Sequence, residues 1–491
     1  PSESPKPSES PKPSESPKPS ESPKPGESPT PSPDAGVPPT PIPDHEFDAY
    51  LMEQGFPESY KEGLKALHVE HPNWIFRSYK TGLDWNTVIE KETKAGLNLI
   101  SKNKINGWKS YEPGAYNFST DSFIVFDGTT WVTASKDAVE YYMDPRNFLT
   151  QNSIFQFEAL EYQPEYQIQS GVESILKNTP MYNMSFNYID EIASVEKTGT
   201  YSQAFMDAAV QSGVSPYHLA SRAKQEVVRS AAIFSDSVTG TVSGYEGYYN
   251  FYNIGATHST AMGGAVANGL NFATGSTMAS ELARANYILP WNNRYNAIVG
   301  GAKYIGTNYI NRGQNTIYLQ KFNVTPMYTY THQYMANVEA AVSEAAKTYS
   351  AYNGMGLLEN ILVFNIPIYE NMPEQKEEIP GIVKNPNNWL KTLKIGEYNL
   401  TPVFKTTDGG TIAYTLQIED SNITEVPLTA VAVNSTATIQ IELKQNQINT
   451  GIMVNASGKI PLVIGNNEVK IRVTAENQSI NTYVITIIKV K

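Results

Sequence analysis

Residues 215–231, SPYHLASRAKQEVVRSA, read as a helix with one residue out of place. Ser215 offers a side-chain oxygen as N-cap, and Pro216 suits the first helical position. At about 100° per residue, Leu219, Ala220, Ala223 and Val227 form one apolar stripe, and Glu226 falls at its edge beside Leu219. A carboxylate facing a core costs free energy unless it is paired or used. Two readings are open. In one, Glu226 is ion-paired with Arg222 or Arg229 on the flank of the stripe. In the other, apolar neighbours keep its carboxyl protonated for acid chemistry.

The rest of the chain sets limits on that choice. Its 491 residues suffice for several domains. It has no cysteine, which excludes disulfides, thiolate metal sites and cysteine nucleophiles. A net charge of -12 argues against nucleic acid or an anionic membrane as partner. No run of about 18 apolar residues occurs, so no membrane insertion is expected. The chain begins at Pro1 inside a repeat, as a mature or truncated form would. Its 31 tyrosines supply rings that both stack and hydrogen-bond, which suits sugars as well as ordinary cores.

Five segments emerge. Residues 1–44 open with PSESPK four times over, then PGESPT. Proline at this density forbids helices and sheet ladders, so the segment reads as a disordered, semi-rigid spacer. Residues 45–190 read as a mixed α+β accessory region packed on the helical segment after it. His68 and His71 lie on one helix there, but no third ligand accompanies them, so they read as solvated surface histidines with no metal. Residues 191–370 are mainly helical in pattern: YSQAFMDAAVQSG ends at a Gly213 stop, and AIVGGAKYIGTNYI and QYMANVEAAVSEAAKTYSAY are further helices. Residues 371–388 read as a linker. Over 389–491 the period changes to two, in IAYTLQI, ATIQIEL, EVKIRVTAE and TYVITIIKV, the pattern of an all-β sandwich.

Four blocks carry a family likeness. SRAKQE (221–226), GYYNFYNIGA (247–256), PWNNRYNAIVGGAKYIGTNYINRGQNTIYLQKFNV (290–324) and HQYMAN (332–337) resemble endo-β-N-acetylglucosaminidases of glycoside hydrolase family 73, the bacterial autolysins that cut peptidoglycan. The tail resembles a cadherin-like β-sandwich module, in LKTLKIGEYNLTPVF, YTLQI and LVIGNNEVKIRVTAENQSINTYVITI.

The first resemblance implies a lysozyme-like, mainly α catalytic domain with Glu226 as general acid. The chemistry agrees: a poor alkoxide leaving group needs a proton, and a fully solvated carboxyl is ionised at neutral pH. Apolar lining by Leu219, Ala223 and nearby aromatics would favour the protonated form. For a second catalytic group Glu246 is one candidate, with an ordinary loop-surface acid as its other reading, and Asp236 and Glu281 are others; the sugar's own 2-acetamido group could replace it. By resemblance Tyr249, Asn250, Tyr252, Asn253 and Tyr334 bind substrate, whereas Phe251 and Ile254 face the core and Gly255 permits a tight backbone path. His258 and His332 read as structural or groove-lining. No HExxH or ordered His/Asp cluster accompanies these blocks, so neither metal nor cofactor is expected and a zinc amidase is disfavoured. The implied function is an endo-β-N-acetylglucosaminidase acting on peptidoglycan glycan strands, monomeric, secreted to the bacterial cell wall. The rivals are a lytic transglycosylase, cutting after N-acetylmuramic acid, and a non-catalytic cell-wall-binding surface protein.

Overall fold

The computed structural model describes residues 41–190, 195–256, 263–406 and 413–491; residues 1–40 of the proline-rich segment 1–44, and His258, lie outside them. Two helices, Asp44–Gln54 and Glu58–Glu70, open the described chain. They pack beside a strand, Ile75–Asp84, that pairs in parallel with Val363–Glu370. Phe76 and Phe364 stack across this pair with ring centroids 5.9 Å apart, both fully buried. The two strands therefore join the first and last parts of residues 45–370. One continuous core runs from Phe47 to Tyr369. The boundary expected near residue 190 has no counterpart in it.

His68 and His71 correct their sequence reading, for both are buried. Each ring lies flat on an aromatic partner, His68 on Phe47 and His71 on Trp74, with centroids 3.8 Å apart in both pairs. Stacking took them out of solvent, His68 on the inner face of the helix and His71 just past its end at Glu70, which the three-residue spacing does not reveal.

The helical part follows its local signals closely. Thr200 caps Tyr201–Ser212, and Gly213 stops it in the left-handed conformation with φ +72°. Ser215 accepts from the His218 amide at 3.3 Å and starts Pro216–Val227. The helix Arg294–Asn308 packs on Tyr201–Ser212, and its glycines allow close approach. A Cβ at Gly301 would lie 2.4 Å from the Tyr252 ring. The helix expected from Gln333 begins only at Ala340. Residues before it are claimed by the accessory region: Leu99 donates to the Ala336 carbonyl and accepts from Val338, both at 2.9 Å.

Residues 389–491 build two sheets around a second core that includes Leu390, Ile441 and Ile471. One sheet orders Leu390–Ile395, Glu425–Ala432 and Lys459–Pro461. The other orders Ala413–Ile418, Ile480–Lys489, Gly465–Thr474, Thr438–Gln445 and Ile448–Met453. Alternating burial along Ala413–Ile418 is the period-two signal realised. The connecting segment, residues 371–388, is irregular and strapped down. Arg146, itself ion-paired to buried Asp144 at 2.8 Å, donates to the carbonyls of Pro373 at 2.8 Å and Gln375 at 3.0 Å. At the junction Asp121 accepts from Asn387 and Asn434, each at 2.8 Å, and Phe118 stacks on Trp389.

Candidate active site

The stripe of the Pro216–Val227 helix is buried as its period requires: Leu219, Ala220, Ala223 and Val227 are all 0% exposed. Glu226 is not. It shares Leu219's side of the helix but lies about 10 Å further along the axis, in the last turn. There it faces a cavity of about 340 Å³ and is exposed. The expectation of a buried Glu226 is thus corrected: the wall covering Leu219 ends before residue 226 and a cleft takes its place. Neither flanking arginine neutralises it, since Arg229 pairs with Asp236 at 3.0 Å and no ion pair joins Arg222 to Glu226 among the described residues.

What holds Glu226 is Asn253. The Asn253 Nδ2 donates to the Glu226 carboxylate at 2.9 Å and to its main-chain carbonyl at 3.1 Å. Asn253 has φ +50°, a left-handed conformation that asparagine tolerates better than most residues. Gly255, at φ +76°, lets the loop pass Phe272, whose Cβ would lie 2.9 Å from a Cβ there.

The facing wall comes from residues 304–352. Tyr334 lines the cavity and is 57% exposed. Its ring meets Tyr309 edge-on at 5.7 Å, and His332 stacks on the same Tyr309 at 4.9 Å. The loop bearing them is costly to form, because Tyr328, Tyr330 and His332 all have φ between +56° and +64°. The Asn323 amide donates to the carbonyls of Met327, Tyr328 and Thr331, which fixes that path.

Behind Tyr334, Gln333 donates to both oxygens of buried Glu92 at 2.9 Å and accepts from Lys321 at 3.1 Å. Burial pushes the Glu92 carboxyl up and Lys321 down to about 8. The accessory region thus braces the cleft from behind. Beneath it, Tyr352 lines the cavity and donates to Glu158 at 2.7 Å, and burial raises the Glu158 carboxyl to about 7.

Of the expected site residues, Glu226, Asn253 and Tyr334 come together. The others do not. Asn250 is 0% exposed, and its amide donates to the carbonyls of Ile254 at 2.8 Å and Gly269 at 2.9 Å, so it ties the loop together. Tyr252 is 1% exposed and donates to the Ile298 carbonyl at 3.1 Å. Tyr249 is half-buried under the Arg294 guanidinium, 4.8 Å from its ring centre. In this loop the aromatic-Asn alternation turns inward, because Asn250 and Tyr252 satisfy main-chain groups there. Glu246 sits in an exposed turn between two left-handed glycines, accepts from the Gly244 amide at 3.1 Å, and does not line the cavity. Glu281 pairs with Arg284 at 3.8 Å on the surface.

The sequence reading missed His218, Arg222, Gln225 and Glu344, all of which line the cavity. The first two were detectable, since 218, 222 and 226 are spaced as one helical stripe. Glu344 reaches the cleft only through tertiary packing, and it pairs with Lys347 at 2.7 Å.

Residues 391–490 match the family described as the cadherin-like beta sandwich domain. The C-terminal domain is cadherin-like. The chain is also similar to a β-N-acetylglucosaminidase of Bacillus subtilis (strain 168), 28% identical over 273 residues, covering 54% of this chain and 24% of that protein. A bifunctional autolysin of Staphylococcus epidermidis (strain ATCC 12228 / FDA PCI 1200) is 25% identical over 287 residues, 57% of this chain and 18% of the autolysin. The chain therefore spans about a quarter or less of the length of these relatives. Among solved structures, a major bifunctional autolysin aligns with a TM-score of 0.38 at 21% identity, over 60% of this chain and 99% of the other. S. aureus glucosaminidase B aligns with a TM-score of 0.39 at 19% identity, over 61% and 94%.

Proposed function

We propose that this chain is an endo-β-N-acetylglucosaminidase that hydrolyses the glycan strands of bacterial peptidoglycan, with Glu226 as general acid. The observation that carries the reading is one carboxylate, unpaired by any arginine and oriented by Asn253, at a cleft faced by the exposed ring of Tyr334. Glu226 delivers its proton to the leaving oxygen, and Tyr334 orients the sugar or the water. A glycan filling the cavity would displace the water that Glu226 meets in the free protein. The relatives named as a β-N-acetylglucosaminidase and as autolysins support this reaction class. The body surrounding the cleft is taken as lysozyme-like, the substrate places the protein in the cell wall after secretion, and the chain acts as a monomer.

Among the described residues the cavity holds only one other carboxylate, Glu344, already paired with Lys347. With Glu246, Asp236 and Glu281 elsewhere, the part of the second catalytic group is assigned to the substrate's 2-acetamido oxygen, which attacks the anomeric carbon as Glu226 protonates the departing oxygen and is displaced by water afterwards. The test is Glu226→Gln on purified peptidoglycan. Hydrolysis should fall by about 10²–10⁴-fold, the usual worth of a general acid, with binding retained. Digestion at the wild-type rate would overturn the assignment. Mass spectrometry of the wild-type digest should give reducing N-acetylglucosamine ends, whereas anhydromuramic ends would establish a lytic transglycosylase instead.

A further inference from the structure

Arg222 is the only cationic lysine or arginine among the described residues that line the cavity. Arg77, Arg146, Arg229, Arg284 and Arg472 each hold a carboxylate within 3.8 Å. Arg222 holds none, and no hydrogen bond from its guanidinium to a described residue is present. It is half-buried. Its nitrogens are not sealed in the core, so the five donors of the guanidinium stay open to whatever fills the cleft.

The surroundings preserve that opening. Glu226, one helical turn or about 6 Å further along the axis, is taken by Asn253. Glu344 is taken by Lys347. One turn before Arg222, the His218 imidazole is held down at about 3 by its desolvation and then by Arg222 itself, so it stays neutral and adds no competing cation. The cleft thus presents one unpaired positive group a helical turn from Glu226, in a protein whose net charge is -12.

We propose that Arg222 binds a carboxylate carried by the glycan, next to the sugar whose bond Glu226 protonates, and so makes the cleft selective for acidic wall glycan over neutral chitin-type chains. Guanidinium and carboxylate match in a bidentate fork, which fixes orientation as well as charge. In peptidoglycan the carboxylate has two sources: the lactyl group of a bare muramic residue, or the peptide stem attached to it. The inference rests on the glycosidase reading above.

The experiment compares wild type, Arg222→Gln and Arg222→Lys on three substrates: chitooligosaccharides, glycan strands stripped of peptide, and strands bearing stems. The readout is kcat/KM for each acidic substrate divided by that for the neutral one. Arg222→Gln should lower this ratio at least tenfold, and Arg222→Lys should lower it less. A fall on stripped strands alone assigns the lactyl carboxylate, and a fall on stem-bearing strands alone assigns the stem. An unchanged ratio on both, or an equal loss on all three substrates, overturns the proposal. Equilibrium binding of the same glycans to Glu226→Gln, with and without Arg222→Gln, gives the ratio without turnover. If wild type cuts none of the substrates, the glycosidase reading fails, and the binding ratio still decides the role of Arg222.

Discussion

A single amide nitrogen of Asn253 reaches both the carboxylate and the main-chain carbonyl of Glu226. The same contact closes the C-terminal end of the helix and aims the acid. Asn253→Ala should therefore cost activity beyond any loss of stability. A hydrogen bond to the protonated carboxyl is worth about 0.5–1.5 kcal/mol, so kcat should fall by about two- to tenfold. Steady-state hydrolysis of glycan, beside a melting curve, checks this. An unchanged kcat would show that Glu226 finds its orientation without Asn253.

Glu92 is expected to matter for a cleft it does not line. Glu92→Leu leaves Lys321 bonded to Asn98 and Gln333 but frees the buried amides of both from their acceptor, and an unmet buried donor typically costs about 1–3 kcal/mol. The melting temperature should drop, and KM should rise because the Tyr334 loop loses its anchor. Combining Glu92→Leu with Lys321→Met should restore much of the stability but leave KM high. Recovery of both together would mean that Glu92 acts on stability alone.

Glu158 gives a pH dependence. Its carboxyl is raised by burial from 4.5 to about 7, against the weaker opposing effect of the Tyr352 hydroxyl. Between those values the folded protein holds a proton that the unfolded chain has lost. The contribution to stability is therefore complete below about pH 4.5 and lost as pH rises through 7, by about 3 kcal/mol at most. Glu158→Gln can keep the bond from Tyr352 and has nothing to ionise. Melting temperatures of the two proteins should converge near pH 4.5, with the variant melting a few degrees higher at pH 8. A constant difference across the range would contradict this.

The junction with the cadherin-like domain should loosen in Asp121→Ala. Desolvation opposes the Asp121 charge, but hydrogen bonds from Tyr116, Asn387, Asn434 and Asn385 outweigh it and hold the carboxyl below its usual range. Without it, limited proteolysis near residues 376–388 should accelerate, while hydrolysis of short soluble glycans stays within about twofold. The junction is distant from the chemistry if so, and loss of that hydrolysis would give the C-terminal domain a direct part in it.

What could be read from the sequence was whatever neighbouring residues decide among themselves. Ser215, Pro216 and Gly213 set helix ends through main-chain groups a few positions away, and the period-two strands after residue 389 carry their own burial pattern. The azimuth of Glu226 was legible for the same reason. Its exposure was not, because it depends on where the wall over Leu219 ends. Asn250 and Tyr252 were misplaced because their hydrogen bonds go to Gly269 and Ile298, partners that the chain brings near only by folding. The histidines at 68 and 71 hid behind Phe47 and Trp74 in the same way.

The parallel pairing of Ile75–Asp84 with Val363–Glu370 also governs when the protein becomes complete. The early strand must wait for almost the entire intervening chain to be synthesised before its mate exists. Until then Phe76 lacks Phe364, and the core shared by residues 47–369 stays open at that seam. A chain ending before Val363 would have no mate for Ile75–Asp84, so the order of connection makes the last part of residues 45–370 a condition for closing the first.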